Sequence, residues 1–148
     1  PIDVPIVWDE LGQPKQLTVP FEYIQASVHG FRPDGSPVGK VRTPTADPAG
    51  HWANGPFTPI EQLGTGGDAQ GANADMYCGE SYLPEGQRAT IWNATGAHLV
   101  TGLGTLESTC WAINAPGTYV GFATDRSTSP PTTRSSSTFP GSRASSPR

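Results

Sequence analysis

The chain has 148 residues with 18 Gly and 16 Pro, a length that suits one domain and a composition that favours loop-rich all-β structure over long helices. Four Trp, four Tyr and five Phe supply enough large apolar surface to exclude wholesale disorder. The net charge of −4 hides an asymmetry: all 13 acidic residues precede Arg126, while Arg126, Arg134, Arg143 and Arg148 give the last 23 residues four positive charges and no acid.

Residues 1–16 read as an extended N-terminal arm. Pro5 and Pro14 cannot donate ladder hydrogen bonds, and Ile2, Val4, Ile6 and Trp8 alternate with Asp3, Pro5, Val7 and Asp9 so that one side can lie on an apolar surface. The opening PIDVPIVW shows neither the basic nor the apolar region of a secretory signal, and no apolar run approaches the ~18 residues of a membrane span.

Residues 17–125 are expected to form the domain. Leu17–Val28 reads as its first strand, and Pro33-Asp34-Gly35-Ser36 is a turn in which Pro presets φ and Gly supplies a positive one. Residues 43–75 are the least regular third, broken by Pro44, Pro48, Pro56 and Pro59. They read as an insertion ending in a flexible loop, Gly64–Asp75, with Trp52 and Phe57 as anchors on the domain or on a neighbour. Pro59–Leu63 could form one helical turn. From Met76 onward, turn signals at Pro84–Gln87, Asn93–Gly96 and Asn114–Gly117 separate short β patterns, the spacing of an antiparallel sandwich or small barrel.

The phrases GQRATIWNATG and APGTYVGFAT resemble the closing strands of bacterial and viral immunoglobulin-like or fibronectin-like domains, with Pro116 and Gly117 in the turn before Tyr119. The resemblance covers about 40 residues and implies an Ig-like β-sandwich with Tyr119 in a packing role; such modules share no activity. Antibody-type domains place their Trp midway between two cysteines, whereas Trp111 directly follows Cys110.

Cys78 and Cys110 lack CxxC spacing, and form either one disulfide or two buried thiols. His29, His51 and His98 are scattered with no nucleophile-elbow motif, so catalytic residues are assigned to none. Asp68 and Asp75 raise calcium, but the EF-hand and GGxGxD patterns are absent, and no metal or cofactor is expected. Trp8, Trp52 and Trp92 could stack on sugars, and Asn93-Ala94-Thr95 is a glycosylation sequon. Residues 126–148 form a Ser/Thr/Pro/Arg-rich arm with Phe139 as its single large apolar side chain; four charges over that length are thin for nucleic acid.

These features point to a non-enzymatic structural protein of a virus or phage particle, a decoration, minor capsid or tail component localised to the virion. Its interface candidates are Trp8, Trp52, Phe57, Arg126, Arg134, Phe139, Arg143 and Arg148, bound to other subunits of an oligomeric assembly. The alternative is an extracellular carbohydrate-binding or adhesion module with a Ser/Thr/Pro linker.

Overall fold

The computed structural model describes residues 3–20, 22–53, 55–104 and 107–124. Arg126, Arg134, Phe139, Arg143 and Arg148, and with them the expected C-terminal arm, lie outside the described residues. The fold is all-β, as composition and turn spacing predict. Its strands are β1 (Ile6–Trp8), β2 (Pro14–Gln16), β3 (Gln25–Phe31), β4 (Pro37–Arg42), β5 (Ala49–His51), β6 (Thr58–Pro59), β7 (Gly67–Ala72), β8 (Tyr77–Leu83), β9 (Gly86–Asn93), β10 (Gly96–Leu99), β11 (Glu107–Ile113) and β12 (Tyr119–Thr124). Every sheet pairs sequence neighbours antiparallel: β1-β2, β3-β4-β5-β6, β10-β9-β8-β7 and β11-β12.

Three of these hairpins are the same object. In β3–β4 the register slips between Val28 and Gly30, in β7–β8 between Ala69 and Gly71, and in β11–β12 between Cys110 and Ala112. Each slip is a bulge of one extra residue. Just before each slip the partner is a glycine, Gly39, Gly79 or Gly121. There the facing backbone comes so near that an added Cβ would stand 1.9 Å from the carbonyl oxygen of Ser27, Asp68 or Thr109 respectively. Only glycine allows that approach. The turns repeat as well. Gly35 N–H donates to Arg32 O and Arg32 N–H to Ser36 O, and Gly117 N–H donates to Asn114 O and Asn114 N–H to Thr118 O, all at 2.9–3.0 Å.

The strands between the bulged hairpins repeat too. Leu17 N–H donates to Pro5 O, Ile60 N–H to Ala49 O and Val100 N–H to Ala89 O, at 3.0, 3.0 and 2.9 Å. Three residues beyond each acceptor stands a tryptophan: Trp8, Trp52, Trp92. The chain is therefore three consecutive units, β1–β4, β5–β8 and β9–β12, each a hairpin carrying a tryptophan followed by a bulged hairpin.

Each later tryptophan fills the preceding unit. Trp52, 2% exposed, joins Leu17, Ala26, Val41 and Phe57, with Val28 partly buried beside them. Its indole N–H donates to Thr18 O at 2.9 Å. Trp92, also 2% exposed, packs with Val38 and Ala69 against Ile60 and donates to Glu61 O at 2.7 Å. Each buried indole is satisfied, and truncation of either to alanine should cost about 3–5 kcal/mol.

Several expectations are corrected. Within the expected N-terminal arm, Ile6–Gln16 is a paired hairpin, because Asp9 Oδ1 accepts from Leu11 and Gln13 N–H at 2.9 and 2.8 Å and folds the chain back. The first strand of the body begins at Gln25, not Leu17. Residues 43–75 are no insertion; they hold β5, β6 and β7, and no helical turn forms at Pro59–Leu63. Gly64–Asp75 was expected as a loop because its residues are small, yet Gly67–Ala72 is a strand in close contact on both sides. An added Cβ at Gly67 would lie 2.4 Å from Glu80 O, and one at Gly71 would lie 3.2 Å from Trp111 O. Trp52 and Phe57, expected at an interface, are in the core, with ring centroids 4.8 Å apart.

Gly79→Ala forces the β7 and β8 backbones apart and should lower the thermal midpoint by well over 10 °C or abolish folding. Gly55→Ala, with no atom within 4 Å of the added methyl, should shift it by no more than about 2 °C in the same melts.

Candidate functional sites

The bulged hairpins bring a row of polar side chains together. Ser27 pairs with Lys40, Asp68 with Glu80 and Thr109 with Phe122, the same register position in each unit. Lys40 of the first hairpin reaches Asp68 of the second, Nζ to Oδ2 3.0 Å, and also donates to Tyr82 Oη at 3.0 Å. His29 Nε2 lies 3.1 Å from the same Asp68 oxygen. Asp68 is 3% exposed, and its other carboxylate oxygen, Oδ1, has no hydrogen-bond partner among the described residues. Between the second and third hairpins Glu80 hydrogen-bonds Thr109, which also accepts from Gln87 Nε2. Burial opposes the charge of Lys40, but Tyr82 and Asp68 outweigh it and hold the ammonium above the ordinary amine range. Burial raises the Glu80 carboxyl, Asp68 adds to the rise, and Thr109 and Lys40 oppose it. The row ties one unit to the next.

It does not form a hydrolytic relay. Ser27 Oγ lies 3.0 Å from His29 Nε2, the nitrogen that also faces Asp68. A relay needs the nucleophile on one ring nitrogen and the carboxylate on the other. His51 and His98 stand elsewhere, beside Tyr77 and Thr95. The calcium reading of Asp68 and Asp75 gives way as well. Asp68 is paired with Lys40 and His29, and Asp75 lies in a turn closed on Asn73 Oδ1.

Of the two open states of the cysteine pair, the structure holds free thiols. Cys78 and Cys110 are buried on β8 and β11 and hydrogen-bonded to one another; that hydrogen bond and burial push the Cys78 thiol well up. Cys78 therefore stays a protonated core residue, while the same hydrogen bond, with Cys78 as its partner, draws the Cys110 thiol down.

Two grooves open at equivalent places beside the buried tryptophans. The first, about 250 Å³, lies between Thr18, Asp34, Pro37 and Trp52. The second, about 590 Å³, lies between Glu61, Asp75, Tyr77 and Trp92, with Arg32 and Thr95 at its sides. The Arg32 guanidinium donates to Tyr77 Oη at 2.5 Å and to Ala74 O at 2.8 Å, and lies 5.1 Å from the centre of the Tyr77 ring. Tyr77 also stacks on His51 with centroids 5.5 Å apart, and its hydroxyl lies 3.1 Å from His51 Nδ1. Burial and the neighbouring Arg32 lower the His51 pKa, so the imidazole is neutral at physiological pH. Opposite them, Glu61 Oε2 accepts from Ala97 N–H at 3.0 Å, and Thr95 Oγ1 donates to Asn93 Oδ1 at 2.7 Å. The larger groove thus combines a fixed cation, two carboxylates and two hydroxyls over an apolar floor.

The structure scatters the residues singled out from sequence. Trp8 is 66% exposed at the end of β1, whereas Trp52 and Trp92 offer no ring face to a sugar because both are buried. Sequence reasoning does not single out Arg32 or Tyr77, since they come from two different hairpins and share no sequence motif, and it raises Asp75 for calcium rather than for this groove. No protein-family model, curated protein or solved structure matches the chain.

Because the native state binds the Glu80 proton more tightly than the unfolded chain does, Glu80 stabilises the fold below its ordinary value of 4.5. That contribution is lost as pH rises above it. In thermal melts between about pH 4 and pH 7, Glu80→Gln should therefore gain on the parent as pH rises. A constant difference between the two across that range would contradict the assignment.

Proposed function

We propose that the chain is a non-enzymatic binding module that takes a hydroxyl-rich ligand, of the carbohydrate class, in the groove between Arg32, Tyr77, Asp75 and Thr95. The observation that carries this reading is the mixed wall. Sugar hydroxyls both donate and accept, so they match a surface that offers a guanidinium, carboxylates and hydroxyls within one cleft. The His51–Tyr77–Arg32 stack holds the guanidinium and the Tyr77 hydroxyl in place before any ligand arrives, which lowers the ordering cost of binding. Trp92 supports the floor from beneath rather than stacking on the ligand.

A second reading, a structural subunit of a virus or phage particle, draws on a different feature. All six residues of β12 are exposed, including Tyr119, Val120 and Phe122, and β12 pairs with β11 alone among the described residues. An open apolar edge of this kind favours contact with another chain.

Immobilised oligosaccharides probed with the full chain test the first reading. Binding of at least one glycan class is expected, weakened at least about tenfold by Arg32→Ala and by Asp75→Ala, with thermal midpoints recorded to separate lost contacts from lost fold. Absence of binding to every glycan, or binding that both variants leave unchanged, would refute it.

A further inference from the structure

We propose that the apolar hollow over β11 and β12 is a third tryptophan socket, and that Trp8 of a second copy of this chain fills it. The inference is independent of the glycan reading and rests on the internal repeat.

The socket around Trp52 includes Leu17, Val28 and Val41. Their counterparts in the third unit follow from hydrogen bonds and register. Val100 makes the Leu17-type bond to Ala89, Cys110 opposes Gly121 as Val28 opposes Gly39, and Ala123 stands two residues after Gly121 as Val41 stands after Gly39. Val100, Cys110 and Ala123 all line one apolar hollow of about 230 Å³, completed by Leu103, Tyr119 and Val120. In the second unit the counterparts Ile60 and Ala69 surround Trp92. No tryptophan fills the third hollow in the described structure.

The plug is at the other end. Trp8 corresponds to Trp52 and Trp92, yet it is 66% exposed against 2% for each of them. Strand edges match this difference. β5 pairs with β4 on one side and β6 on the other, and β9 likewise lies between β8 and β10, whereas among the described residues β1 pairs with β2 alone. At the internal junction Val38 faces His51, and Trp52 N–H donates to Pro37 O at 3.0 Å. The same geometry between two copies would pair Val120 with Val7 and seat Trp8 N–H on Tyr119 O. Thr101, next to Val100 as Thr18 is next to Leu17, would supply the indole acceptor. Residues 125–148 contain no tryptophan, and Phe139 is their only large apolar side chain, so they match the socket less well than a copy of the hairpin that already fits two sockets of this shape. The contact joins unlike surfaces head to tail, and so builds closed rings or open chains.

Sedimentation velocity on the full chain over a concentration series up to about 0.5 mM tests this, since one plug and one edge form a small interface of modest affinity. The parent should pass from monomer to dimer and larger species. Trp8→Ala and Val120→Arg should each sediment as monomers. Mixed in equal amounts they should form a dimer and nothing larger, because one variant keeps only the socket and the other only the plug. Val120 is 62% exposed, so the arginine should leave the monomer's melting unchanged; if it does not, Phe122→Glu on the same edge takes its place. A parent that stays monomeric throughout would overturn the proposal, including one whose socket is covered by its own residues 125–148. So would oligomers that Trp8→Ala does not affect, or a variant mixture that remains monomeric.

Discussion

The structure depends on the contact of backbone against backbone at Gly39, Gly79 and Gly121. At each, a strand approaches its partner's carbonyl more closely than any side chain permits, and the adjacent bulge turns the hairpin so that its neighbour can stack on it. Gly30 of the first bulge lies against Gln70 and Gly71 of the second, and Gly71 lies against Trp111 and Ala112 of the third. Because the layers meet through main chain, little side-chain volume is left between them for a core. The apolar mass has to be placed elsewhere.

The tryptophans carry it. Each internal junction is closed by one large ring from the following hairpin, satisfied by a single carbonyl, while the Lys40–Asp68 and Glu80–Thr109 contacts tie the opposite side. The two kinds of contact have different physics. The indole contributes apolar burial, whereas the Lys40–Asp68 pair is helped against its desolvation by Tyr82 and His29 while Asp68 Oδ1 stays without a partner among the described residues. The pair therefore gives register between units more than it gives stability. The same stacking leaves two polar grooves beside the rings, so the cleft proposed for ligand binding is a by-product of how one unit closes on the next.

Turn chemistry made the second half of the chain legible in the sequence. Asn93–Gly96 and Asn114–Gly117 mark β9–β10 and β11–β12 correctly because Asx side chains and positive-φ glycines act locally. Residues 43–75 were misjudged for a reason that is also local. Gly67 and Gly71 look like flexibility, yet they are small because other backbones press on them, and that pressure comes from residues far along the chain. The repeat itself was present in the sequence as tryptophans 44 and 40 residues apart and close-approach glycines 40 and 42 apart. Reading strand by strand conceals it, since the units share few other identities. The groove residues left no such trace, because Arg32 and Tyr77 meet only once two hairpins have stacked.

A repeat in which each unit is completed by the next has an unavoidable asymmetry at its ends. Among the described residues Trp8 enters no hairpin and the β11–β12 hollow receives no ring, so both exposures follow from one rule rather than from two separate accidents of packing. Repeat proteins usually blunt such ends with polar residues. Here β12 instead presents Tyr119, Val120 and Phe122 to solvent, with Trp111 tilted against Phe122 at 5.2 Å, and the opposite end presents Ile6 and Trp8. Apolar surface left at both complementary ends is what a unit built to continue would show, and the two ends carry the same geometry that the interior has already satisfied twice.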